Sequence, residues 1–175
     1  YEKIKEPDIV WPDIQDDDIE NTNLLMSNTI SIDPETVICL NAKYNDIEFG
    51  FLTIHGQGGK ELIESAKKAA SEIKSKPKLM MVTILTSLSD DDLKDMGNQN
   101  TVIEQVEKLA KVAKQKEVGV VCSGNEAKIV RKIIGNDLLI FSPGIRMAED
   151  NKNDQKRVST PAEALNNGVD KIIMG

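Results

Sequence analysis

From residue 49 onward, short apolar runs alternate with longer stretches whose apolar residues recur at helical spacing. The runs F-G-F-L-T-I-H (49–55), L-M-M-V-T-I-L (79–85), V-G-V-V-C (118–122), L-L-I-F-S (138–142) and V-D-K-I-I-M (169–174) have the length and composition of strands. The second is apolar throughout, as expected of a strand covered on both faces. Leu62, Ile63, Ala66, Ala69, Ala70 and Ile73 predict a helix over 60–74, and Val102, Val106, Leu109, Ala110 and Ala113 predict a second long one. A short helix is expected to begin at Asp90, and another to run over 125–134 and stop at Gly135. Thr160 reads as the cap of a helix that starts with Pro161 and ends near Gly168. Strand–helix alternation of this kind predicts an α/β fold with parallel strands joined by right-handed crossovers.

The first 48 residues break this rhythm. Pro7, Pro12 and Pro34 interrupt any period, and Asp16, Asp17 and Asp18 form a charge run of the kind that is normally solvated. A strand is expected over 24–30, followed by a helix start at D-P-E-T-V (33–37). The chain therefore divides into an acidic segment at 1–23 and an α/β unit at 24–175.

Charge sharpens that division. The formal net charge is −7, but residues 1–36 hold ten acids against two lysines, which leaves the remainder at +1. No basic stripe exists to displace counterions, so nucleic acid is not an expected partner. No apolar run approaches the ~20 residues of a membrane span. The two cysteines, Cys39 and Cys122, with no visible signal peptide, fit a reducing cytoplasm better than a disulfide framework, and Cys122 reads as a small buried hydrophobe.

The chemistry concentrates between Ser142 and Ala164, in S-P-G-I-R-x₇-D-Q-K-R-V-S-T-P-A-E-A. A Pro143-Gly144 turn is followed by a loop of about ten residues and then by Gln155, Lys156 and Arg157. An amide and two cations are the donors that an anionic phosphate ester recruits. A solvated basic patch is the plain alternative for D-Q-K-R alone. His55 at a strand end reads as a packing residue at least as well as a catalytic one. Asp90, Asp91 and Asp92 read as helix capping rather than as a cation site, because consecutive helical residues point in different directions.

The whole segment resembles the orotidine 5'-monophosphate decarboxylase family, which has T-P-G-I-R, a phosphate-gripping loop ending in D-Q-(K/R)-R, and a T-P-x-x-A helix start. T-I-H-G-Q-G-G-K-E (53–61), V-T-I-L-T-S-L-S-D (82–90) and V-G-V-V-C-S-G-N-E-A (118–127) match that family's successive strands in order. The resemblance covers roughly 49–175. It implies an incomplete (β/α)₈ barrel with strands three to eight recognisable, since a complete barrel takes about 250 residues. It further implies decarboxylation of orotidine monophosphate to uridine monophosphate (UMP) and carbon dioxide, with no metal or organic cofactor, in a homodimer. By the same resemblance Ser87 meets the pyrimidine ring and helps latch the loop, Pro143 lies under the base, and Gln155 and Arg157 grip phosphate. The loop at 145–157 is expected to be the most mobile interior segment.

The family's acid–base signature, D-x-K-x-x-D-I-P-N-T, aligns in two ways. Without a gap, Asp13 and Asp18 take the carboxylate positions and Gln15 the lysine position. With the spacing to His55 preserved, Ser27, Thr29 and Ile32 take the three positions, and Thr29 replaces the lysine. Neither places an ammonium where protonation would occur. Two functions therefore stand: a decarboxylase of this family, or a catalytically inactive family fragment that binds nucleotide or a partner. A related phosphosugar decarboxylase or aldolase is a third, weaker reading.

Overall fold

The computed structural model of the chain describes residues 50–72, 75–147 and 155–173. The expected strand at 24–30, and Asp13, Gln15, Asp18 and Thr29, lie outside the described residues. Five strands form one sheet: β1 (Phe51–His55), β2 (Lys78–Val82), β3 (Gly119–Val121), β4 (Ile140–Ser142) and β5 (Lys171–Ile172). Their spatial order is their chain order, and every neighbouring pair is parallel. The helices are α1 (Gly59–Glu72), α2 (Asp90–Asp95), α3 (Val102–Lys116), α4 (Ala127–Ile134) and α5 (Pro161–Asn166). A sheet that advances one strand at a time never reverses direction, so right-handed crossovers place every helix on the same face. A doubly wound sheet would instead switch direction and carry helices on both faces.

Side-chain alternation confirms this. Ile54, Leu79, Met81, Val120, Cys122 and Ile140 pack with Ile63, Ala66, Val106, Ala110, Ala127, Val130 and Ala164 from the helices. The residues between them, Met80, Val82, Val121 and Phe141, form a second cluster on the opposite face with Phe51, Leu139 and Ile173. There the Phe51 and Phe141 rings meet edge to face at 4.8 Å. The continuous apolar run in β2 is thus used on both sides.

Three helices start in the same manner. Ser89, Thr101 and Thr160 each accept from the backbone N–H three residues on, while Asp92, Glu104 and Glu163 return the bond to the cap. Asp90 caps in a different way: its carboxylate accepts from Val102 N–H at 2.7 Å and ties α2 to the start of α3. α3 ends at Glu117, an exposed residue in the left-handed region with φ 53°. That conformation costs a residue with a Cβ about 1–2 kcal/mol, partly offset by the extra unfolded-state entropy of glycine. Glu117→Gly is therefore expected to stabilise the fold by up to about 1 kcal/mol, read as a rise in thermal midpoint. A fall in the midpoint would show that the Glu117 side chain contributes more than its backbone costs.

Candidate functional site

The carboxyl ends of the parallel strands carry most of the buried polar side chains. Thr83, Thr86, Ser123, Glu126, Ser142 and Ser159 are all buried there or on the turns that follow. Among the described residues the Ser159 hydroxyl is buried without a hydrogen-bond partner, while the other five are bonded, and those bonds define the site.

The expected strand 79–85 ends at Val82. Beyond it, Thr83 N–H and Oγ1 both donate to Val121 O, at 3.0 and 2.9 Å. The chain then leaves the sheet, and the carbonyls of Ile84, Leu85 and Leu88 turn towards one cation. Arg157 donates from Nε to Leu88 O at 3.0 Å and from Nη2 to Ile84 O and Leu85 O at 3.0 and 2.7 Å. Its Nη1 forms an ion pair with Glu126 Oε1. Glu126 precedes α4, and its Oε2 accepts from Ser123 N–H at 3.1 Å. Burial pushes the Glu126 carboxyl above the usual carboxylate range, and the Arg157 guanidinium pulls against that shift.

The 155–159 segment is fastened to the same turns by its backbone. Lys156 and Arg157 N–H both donate to Thr86 O, at 3.1 and 3.0 Å, and Thr86 Oγ1 donates to Gln155 Oε1. Lys156 Nζ donates to Asp92 Oδ2 at 2.6 Å, which together with the Ser89 hydroxyl holds that carboxyl well below its ordinary range. Ser123 Oγ donates to Arg157 O, and Ile145 pairs with Ser159 in a parallel bridge.

The 155–157 segment passes close to Gly144. The φ of Gly144 is +70°, and a Cβ there would lie 3.1 Å from Arg157 O and 3.4 Å from both Gln155 Oε1 and Thr86 Cβ. Only glycine suits both the backbone and the space. Gly124 is similarly crowded, since a Cβ would fall 2.2 Å from Ser159 Oγ.

Ser87 and Pro143 are half-buried on the turns after β2 and β4, next to Thr86 and Gly144 respectively, and Gln155 and Arg157 reach those same turns. The four expected binding residues therefore gather at one end of the sheet. The hydroxyl that meets Gln155 belongs to Thr86, one residue before Ser87. Arg157 directs four of its N–H bonds into the protein, which makes it a brace between two turns. Residues 148–154, most of the expected mobile loop, lie outside the described residues, whereas both flanks of that loop are hydrogen bonded. His55 is half-buried at the end of β1. Among the described residues no three His, Cys, Asp or Glu side chains converge as metal ligands.

Sequence reasoning missed Glu126 and Thr86. Glu126 lies in C-S-G-N-E-A, where a lone acid between an apolar strand and an apolar helix was the available signal. Nothing in L-T-S distinguishes the two adjacent hydroxyls.

A sequence model of the family described as Orotidine 5'-phosphate decarboxylase / HUMPS family matches residues 39–175. The orotidine 5'-phosphate decarboxylase of Idiomarina loihiensis is 40% identical over 143 residues, covering 81% of this chain and 62% of that relative. The corresponding protein of Fusobacterium nucleatum is 41% identical over 136 residues, covering 77% of this chain and 56% of that relative. The crystal structure of orotidine 5'-phosphate decarboxylase from Lactobacillus acidophilus superposes with a TM-score of 0.64 at 36% identity, over 82% of this chain and 62% of the other. The described part is accordingly an incomplete α/β barrel, and the chain spans about three-fifths of the length of the relatives it matches.

Proposed function

Since the chain belongs to the orotidine 5'-phosphate decarboxylase family, we propose that its strand ends form the phosphate-facing part of a site for orotidine or uridine monophosphate. The observation that carries this is the clasp of 155–159 onto Thr86 and Gly144. It brings a loop's return, with a side-chain amide, to the carboxyl ends of β2 and β4, where α/β barrels place their ligands. Gln155 Oε1 accepts from Thr86 Oγ1, which sets the direction in which the side-chain amide projects. Pro143 lies beneath the base, and Ser87 reaches the pyrimidine edge. Arg157 serves phosphate indirectly, by fixing the backbone from which Gln155 projects.

In the complete reaction, orotidine monophosphate loses carbon dioxide and the resulting ring carbanion is protonated to give UMP. Preorganised charge must stabilise that carbanion, and a cationic acid must supply the proton. The residues matching those roles are Asp13 and Asp18, with Gln15 or Thr29 at the lysine position. A neutral group there favours a second reading, nucleotide binding without turnover. The partner is a second copy of the chain, the setting cytoplasmic, and the chemistry needs no metal or cofactor. Among the described residues no helix is long and apolar enough to cross a membrane.

Titration with UMP tests the binding function. The chain is expected to bind UMP weakly, and Gln155→Ala is expected to weaken binding about tenfold or more, the loss of one hydrogen bond to a charged group. Absence of UMP binding at millimolar concentration, or an unchanged affinity in Q155A, would overturn it.

A further inference from the structure

We propose that Glu126 is a positioning residue for the phosphate end of the site: by holding Arg157 it fixes the segment that presents Gln155, and so sets the preference for a phosphorylated over an unphosphorylated nucleoside. The ligand in this inference rests on the reading above; the mechanical part stands on the geometry alone.

Glu126 is buried beneath the strand-end turns. Its side chain is 4% exposed, and it touches the site through Arg157 and Ser123. Arg157, at 15% exposure, is largely though less completely withdrawn from water. A guanidinium in that place has three carbonyl acceptors, from Ile84, Leu85 and Leu88, and one counter-ion. Carbonyls satisfy its hydrogen bonds but leave its charge uncompensated. Glu126 supplies the compensation at Nη1, while Nε and Nη2 take those carbonyls, so one guanidinium joins the two turns. Packing alone does not call for this arrangement, since an apolar pair fills a buried site at least as favourably as a buried ion pair. What the pair adds is direction: a planar fork admits one orientation, whereas an apolar contact admits several.

The backbone of Arg157 follows its side chain. Its N–H and that of Lys156 converge on Thr86 O, and Thr86 Oγ1 meets Gln155 Oε1. Thr86 adjoins Leu85, whose carbonyl the same guanidinium holds. One cation therefore sets both sides of the contact, the turn carrying Thr86 and Ser87 and the segment carrying Gln155. Release of Arg157 would free Gln155 in two ways at once, through its own chain and through its hydrogen-bond partner.

The test compares the 175-residue chain with Glu126→Gln, which keeps the shape and an acceptor for Ser123 N–H but removes the charge. Two readouts are needed: hydrogen exchange at the Lys156 and Arg157 amides, and affinities for UMP and for uridine. E126Q is expected to speed exchange at 156 and 157 by about tenfold or more, with exchange in the centre of α3 unchanged. It is expected to lower the UMP-to-uridine affinity ratio on the order of tenfold while leaving uridine binding in place. Unchanged exchange at 156 and 157, or an equal loss for both ligands, would overturn the role of Glu126, because a merely structural group weakens both alike. A wild-type chain that binds UMP no better than uridine would instead overturn the phosphate-site reading, and the exchange result would still decide whether Glu126 holds the segment. If E126Q loosens the whole chain, Glu126→Asp replaces it, since it retains the charge but shortens the reach. Faster exchange confined to 155–158 in E126D supports the inference, and exchange equal to wild type there overturns it.

Discussion

Arg157→Met is expected to lower the stability of the chain by about 3–5 kcal/mol, because it leaves the Glu126 carboxylate buried without its partner. At this chain length that is a fall in thermal midpoint of roughly 10 °C. Three backbone carbonyls lose a donor in the same step, so the full cost exceeds that of the ion pair. The double variant Arg157→Met with Glu126→Leu should recover a large part of the loss, since an apolar pair removes the stranded charge. The pH dependence has a definite sign. Burial raises the Glu126 pKa, and the guanidinium that opposes the shift is absent in R157M. A carboxyl with a raised folded pKa favours folding when protonated, and that contribution is lost as pH rises through the folded value. The penalty of R157M should therefore be smaller in mild acid than above neutrality. The neighbouring Cys122 thiol, held protonated by burial and by the Glu126 charge, does not titrate in that window. Denaturation at two pH values checks both points. A loss below about 1 kcal/mol, the range of an exposed pair, would show that water reaches the pair.

The sheet was legible because its strands are local signals. Each of the five apolar runs from 49–55 to 169–174 contains a strand, and the caps at Thr160 and in the Asp90–Asp92 run stand where side-chain chemistry places them. The errors fall at ends. The run 79–85 remains apolar through Leu85, yet the strand ends at Val82, and beyond Thr83 the carbonyls of Ile84 and Leu85 bond to a cation more than seventy residues away. Periodicity contains no such information. The site divides in the same way. Gln155 and Arg157 are recognisable as donors from their types and order, but whether a guanidinium faces ligand or protein depends on where its counter-ion stands. Glu126 is 31 residues distant and looks, in sequence, like an ordinary helix-start acid.

Catalysis is where the largest effect is expected: the purified 175-residue chain should show no measurable conversion of orotidine monophosphate, while still binding UMP through Gln155. The two functions separate because they draw on different groups. In the site proposed above, binding draws on a side-chain amide and a braced backbone at the strand ends. Turnover draws on an ammonium beside paired carboxylates, and the sequence offers Gln15 in one alignment and Thr29 in the other. Neither can carry the positive charge that stabilises a ring carbanion, and neither is an acid strong enough to protonate it. A missing general acid typically costs about 10²–10⁴ in rate. Loss of a preorganised electrostatic contact costs a further factor of about 10²–10³. Their product places any residual rate beneath a spectrophotometric assay of substrate absorbance. Steady loss of that absorbance would overturn the expectation, and its abolition by Asp13→Ala or Asp18→Ala would select the ungapped alignment. Persistence of the activity in both variants would instead place the acid and the carboxylates at positions that neither alignment supplies.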